Sequence, residues 1–95
     1  PLVPMLSFKS FDEVIERANN HDLGLSSYIC TNSMDKAHKA SELMETGTVA
    51  VNTPLVAIAE APFGGIKQAG YGREGGSMAI KDYLNVKYTH LGLKG

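Results

Sequence analysis

The sequence predicts an α/β chain, a three-layer-type βαβαβ fragment followed by one more strand at its C-terminal end. Three observations predict it. Residues 26–31 and 48–52 are short runs rich in strand-forming side chains. Two other stretches, at 11–18 and 34–44, repeat apolar residues at helical spacing. Strands and helices therefore alternate along the chain, the order of a largely parallel sheet with helices on its faces.

Each element has a local reason. Residues 2–8 are apolar, and Pro1 and Pro4 suit the start or edge of a strand. Ser10-Phe11-Asp12-Glu13 fits a capping box, in which the hydroxyl and the carboxylate satisfy free amides at a helix start. Phe11, Val14, Ile15 and Ala18 then form one apolar stripe. Asn19–Asn20–His21–Asp22 ends that helix and Gly24 marks a turn. Asn32 or Ser33 caps a second helix whose Ala37, Ala40 and Met44 share a face, with Gly47 as its stop. From Thr53 to Gly76 both periodicities fail, broken by two prolines and six glycines. A stretch of this length without regular pattern inside a compact chain is usually functional. Residues 77–84 read as a short helix and 86–93 as a final strand.

Composition excludes several classes. A net charge of -1 shows no bias toward nucleic acid or an anionic membrane surface. No apolar run approaches the length of a membrane span. The opening Pro-Leu-Val-Pro lacks the basic region of a signal peptide and reads as chain entered mid-strand, so a piece of a longer protein is expected. The single Cys30 rules out an intrachain disulfide framework and suits a reducing, cytoplasmic compartment.

Few residues offer chemistry on their own. Gly70-Tyr71-Gly72-Arg73-Glu74-Gly75 spells G-x-G-x-x-G, but a dinucleotide fingerprint needs a strand directly before it and an acidic ribose partner about 20 residues later. A glycine-rich turn explains it better. Cys30 lies inside an expected strand and reads as a buried free cysteine. His21, His38 and His90 lack metal-ligand spacing and read as surface residues; no metal site is expected. Glu60 and Glu74, in or beside the glycine-rich stretch, read as solvated or ion-paired carboxylates.

A longer pattern adds to this. Val51-Asn52-Thr53, Ala61-Pro62-Phe63-Gly64-Gly65-Ile66-Lys67-Gln68 and Gly70-Tyr71-Gly72-Arg73-Glu74-Gly75 together resemble the C-terminal signature of aldehyde dehydrogenases, N-x(9)-P-F-G-G-x-K-x-S-G-x-G-R-E. Residues 20–27 and 83–87 resemble the segments that flank it in that family. The forms Arg73-Glu74-Gly75-Gly76 and Ala61-Pro62-Phe63 resemble the succinate-semialdehyde dehydrogenase branch.

The resemblance implies a division of the chain. Residues 1–84 would be the C-terminal part of the catalytic domain, with 53–76 as the substrate-tunnel loop, and 85–95 an oligomerisation strand and tail. In that family a cysteine thiolate attacks a small aldehyde, hydride passes to NAD or NADP, and a glutamate-activated water releases the acid. The nucleophile, the general base and the cofactor-binding strands all lie upstream of such a stretch. No cofactor is expected on this chain, and Cys30 is not the nucleophile. Phe63 matches an aromatic lining the substrate tunnel, and Glu74 a glutamate that takes part in proton and water release. Lys67 and Arg73 match positions that anchor the loop. Ala57 stands where the succinate-semialdehyde enzymes carry a serine that bonds the substrate carboxylate; a methyl group cannot make that bond. Ala69 replaces a usual serine, and Asn85 a glutamate that braces the subunit interface in many members. The parent is thus expected to oxidise a small aldehyde, a semialdehyde by its motif, and to form a homo-oligomer through its last strand, with no nucleic-acid or membrane partner. The alternative from another class is a free-standing assembly module without catalytic activity, which the apolar final strand would suit.

Overall fold

The computed structural model describes all 95 residues. Helix α1 spans Phe11–Asn19 and is capped by Ser10, whose hydroxyl accepts from the Glu13 N–H at 3.2 Å. The other half of the box differs from expectation. The Glu13 carboxylate accepts from the Lys9 N–H, at 2.8 Å, rather than from Ser10. That bond, helped by the Arg17 guanidinium, holds the Glu13 carboxyl below its ordinary value. A lowered folded value means stability present at neutral pH and lost as pH falls through the carboxylate range. Arg17 also donates to the Ser7 carbonyl at 2.8 Å, so residues 7–9 are tied to the helix they precede.

Next come β1 (Leu23–Gly24), β2 (Ser26–Ile29), α2 (Met34–Leu43) and β3 (Thr48–Val51). Strands β2 and β3 pair in parallel, with Ser26 opposite Thr48 and Ile29 opposite Val51. Parallel neighbours need a crossover, and α2 supplies it. Ser33, the second of the two expected caps, starts that helix: its hydroxyl accepts from the Lys36 N–H at 3.3 Å. Ala37 and Ala40, three residues apart on one face of α2, are buried, as is Ala50 of β3. Asn52 then closes the unit. Its N–H donates to Ile29, and its side chain both accepts from the Thr31 N–H at 2.9 Å and donates to the Thr31 carbonyl at 2.8 Å. Beyond it, β4 (Ile66–Lys67) pairs antiparallel with β1, and a 3-10 turn covers Ala79–Tyr83.

Several expectations are corrected. One βαβ unit, β2-α2-β3, stands where βαβαβ was predicted, and the second pair of strands is antiparallel. Residues 2–8 and 86–93 join no ladder within the chain. The expected helix at 77–84 is a shorter 3-10 turn. Strand β4 lies inside the stretch predicted to lack pattern, and Gly24, expected as a turn, is in β1. Gly47 is not the stop of α2, which ends four residues earlier. It is glycine because the Gly64 carbonyl lies where a Cβ would be.

The reason for the missing strands is a shortage of surface to pack on. The accessible surface is 8381 Å², against about 5300 Å² for a compact monomer of this mass. The radius of gyration is 19.1 Å, against about 12 Å for a compact domain of this length. Leu2, Val3, Met5, Val86 and Leu93 are each at least 90% exposed. A strand needs a neighbour to bond, and these apolar ends have none in the chain.

Candidate functional site

The glycine-rich stretch folds back on itself around one pair. The Phe63 N–H donates to the Glu74 carbonyl and the Glu74 N–H to the Phe63 carbonyl, both at 2.7 Å. This isolated antiparallel bridge sets the two residues directly opposite, and side chains opposed across such a pair stand on the same face. They line an open cleft of about 330 Å³, shared with Leu25, Tyr71, Arg73 and Tyr83. Phe63 is half-buried and Glu74 exposed. Neither ion pair of the chain includes Glu74, and Glu60 is likewise exposed and unpaired.

Two cations hold this loop in place by binding backbone. Arg73 donates through Nη1 to the carbonyls of Gly65 and Gly72, each at 2.8 Å. Lys67 Nζ donates to the carbonyls of Asn19 at 3.0 Å and His21 at 3.2 Å, and pairs with Glu45 Oε2 at 2.6 Å. Both residues are loop anchors, as expected from their motif positions. Lys67, the last residue of β4, adopts a left-handed backbone, φ 57°, where the strand gives way to a turn.

The G-x-G-x-x-G string is a turn. Gly70, Gly72 and Gly75 have φ of 110°, 86° and 69°, conformations that side chains rarely adopt. A two-residue antiparallel strand precedes it and a five-residue 3-10 turn follows. A dinucleotide site needs a parallel strand and a helix N-terminus there, so this loop does not fit one.

Other residues fall apart from the cleft. Ala57 is exposed and does not line it, although it lies on the same loop. Cys30 is exposed, not buried. It sits one residue past the end of β2. His21, His38 and His90 are all exposed, as expected of surface residues. Two contributors were not foreseen. Asp82 accepts from the Arg73 N–H at 2.9 Å. Asn19 donates to the Leu43 carbonyl and accepts from the Glu45 N–H, each at 2.8 Å, joining the ends of α1 and α2. Asn19 is 24 residues from Leu43, so no local pattern could reveal it.

The chain is similar to known proteins along nearly its whole length. A model described as the aldehyde dehydrogenase family matches residues 1–89. The chain is 48% identical over 92 residues to a 3-sulfolactaldehyde dehydrogenase of Pseudomonas putida, covering 97% of this chain and 19% of that protein. It is 42% identical over 92 residues to the mitochondrial succinate-semialdehyde dehydrogenase of Arabidopsis thaliana, covering 97% of this chain and 17% of that protein. Among solved structures, an aldehyde dehydrogenase of Bacillus cereus in an NAD+ complex superposes with a TM-score of 0.83 at 45% identity, over 86% of this chain and 17% of that one. An aldehyde dehydrogenase of Brucella melitensis biovar abortus 2308 gives a TM-score of 0.84 at 43% identity, over 88% and 17%. The chain therefore spans less than a fifth of the length of these relatives. A family match that runs through the Phe63–Glu74 bridge and both of its anchoring cations places this chain in the aldehyde dehydrogenase family.

Proposed function

We propose that this chain is the C-terminal portion of an NAD(P)+-dependent aldehyde dehydrogenase that oxidises a small aldehyde, a semialdehyde class of substrate, to the carboxylic acid. Residues 1–84 complete the catalytic domain, 53–76 form the substrate-tunnel loop, and 85–95 are the strand and tail that assemble subunits. The single observation that carries the reading is the reciprocal pairing of Phe63 and Glu74 at an open cleft. An aromatic wall beside an unpaired, solvent-reaching carboxylate suits the mouth of a mostly apolar tunnel that must also pass water and protons. Phe63 lines the tunnel, Ala57 contributes to its recognition surface, and Glu74 relays protons or water. The names of several relatives support an acid-bearing aldehyde, since 3-sulfolactaldehyde, succinate semialdehyde and glutarate semialdehyde all carry an anionic group, whereas two relatives at 47% identity are named for retinaldehyde, which carries none.

In this reading the nucleophile and the cofactor site lie outside these 95 residues. Cys30 does not line the Phe63–Glu74 cleft, and the glycine loop does not fit a dinucleotide. Thiolate attack, hydride transfer to NAD(P)+ and thioester hydrolysis belong to residues outside these 95.

Three outcomes are expected. The full-length protein that carries this chain reduces NAD(P)+ in the presence of succinate semialdehyde, while the isolated 95 residues give no aldehyde-dependent NAD(P)H absorbance; a signal from the isolated chain, or none from the full-length protein, contradicts the reading. In the full-length protein, Ala57→Ser raises kcat/KM for succinate semialdehyde relative to butanal by about tenfold, since a hydrogen bond to a charged group contributes roughly 1.5–3 kcal/mol. An unchanged ratio removes position 57 from recognition. Assembly is tested by light scattering over a concentration series: truncation after Leu84 lowers the oligomeric state of the full-length protein, and an intact oligomer after truncation would exclude residues 85–95 from the interface.

A further inference from the structure

The segment that follows Ala57 rests on a cradle made of two glycines. The Gly76 N–H donates to the Ala59 carbonyl at 2.8 Å, and Gly75 and Gly76 take left-handed backbones, φ 69° and 62°. A Cβ on Gly75 would stand 2.9 Å from the Ala61 carbonyl oxygen and 3.3 Å from that of Ala59. One on Gly76 would stand 3.0 Å from Pro62 N and 3.2 Å from Ala61 C. All of these are backbone atoms or the proline ring, which cannot swing aside as a flexible side chain can. Residues 58–62 therefore lie directly on the backbone of residues 75 and 76, continuous with the Phe63–Glu74 bridge.

Elsewhere the loop is lightly held. Asn52 fixes its start by its bonds to Thr31, and between there and Ile58 one bond remains, from the Leu55 N–H to the Thr53 hydroxyl at 3.1 Å. Ala57 precedes the fixed carbonyl of Ala59 by two residues. Its place is thus set from the C-terminal side, by how closely the chain can settle on Gly75 and Gly76.

We infer that Gly75 and Gly76 are positioning residues for substrate selection. They touch no substrate; they set where residues 57–59 stand, and through them the width of the tunnel at its recognition end. This deepens the proposed function and rests on it. Adding a methyl group at position 76 would lift residues 59–62 and shift Ala57, changing the fit of one aldehyde relative to another without touching the cofactor. Contacts of 3.0–3.2 Å ask the neighbouring backbone to give by a few tenths of an ångström, less than the whole methylene whose gain or loss in a pocket is worth about tenfold or more in relative kcat/KM.

The test uses the full-length protein with succinate semialdehyde and butanal. Gly76→Ala is expected to change the ratio of their kcat/KM values by about threefold, short of the effect of a whole methylene, with KM for NAD(P)+ unchanged. Gly76→Asn should behave the same, because asparagine tolerates a left-handed backbone but still carries a Cβ. Gly70→Ala is the strain control: φ there is 110° but nothing lies within 4 Å of its Cβ, so the ratio should hold. An unchanged ratio in Gly76→Ala overturns the inference, as does a wild-type ratio in Gly76→Asn, which would make backbone conformation the whole effect. Loss of folded protein in both Gly75→Ala and Gly76→Ala also overturns it, since the glycines would then serve the fold at large. A wild-type protein that oxidises neither aldehyde would sink the functional reading, and this inference with it; an active wild type with an unmoved ratio sinks the cradle alone.

Discussion

The Lys67 ammonium meets three acceptors: the carbonyls of Asn19, the last residue of α1, and of His21 just past it, and the carboxylate of Glu45 just past α2. Its backbone meanwhile pairs with Leu23 in the short β1–β4 ladder. One side chain thus joins the ends of both helices to the loop that carries Phe63 and Glu74. Arg73 repeats the device within the loop, bonding Gly65 and Gly72. Hydrogen bonds from a charged donor are stronger than neutral ones and cost more to leave unmade. They matter here because little else is available: the interior of the chain amounts to three alanines, one serine and two glycines.

That small interior explains the glycines. Where a larger domain would pack side chain on side chain, this one packs backbone on backbone. Gly47 lies against the Gly64 carbonyl, Gly24 against that of Glu45, and Gly75 against that of Ala61. Close backbone approach lets neighbouring N–H and carbonyl groups satisfy one another without a hydrophobic core. It also makes the loop's shape a matter of fixed backbone geometry rather than of side chains that can change rotamer. The exposed apolar ends, residues 2–8 and 86–93, mark where the same economy stops.

What could be read from the sequence followed from local rules. The Ser10 and Ser33 caps, the helical faces of α1 and α2 and the parallel strands β2 and β3 each declare themselves within a few residues, and all formed. The motif positions of Lys67 and Arg73 pointed to anchoring, and both bind backbone. What was missed depends on neighbours distant in sequence or lying outside the chain. Residues 2–8 and 86–93 have strand-like patterns but no partner to bond. Gly47 resembled a helix stop because the composition around it fits one; its reason lies 17 residues away, at Gly64. Asp82 and Asn19 carry no motif at all, and only the fold brings them to Arg73 and to the ends of the two helices. The opposition of Phe63 and Glu74, 11 residues apart, became visible only once the bridge was seen.

If that opposition is what the loop exists to provide, the two side chains act on one reacting region and their effects are not independent. A double-mutant cycle measures this directly. In the full-length protein, kcat/KM with succinate semialdehyde is determined for Phe63→Ala, Glu74→Gln and the pair. A coupling of about 1 kcal/mol or more between them is expected for residues that share a site; effects that add to within about 0.5 kcal/mol would show that the two work separately and would contradict the site as drawn.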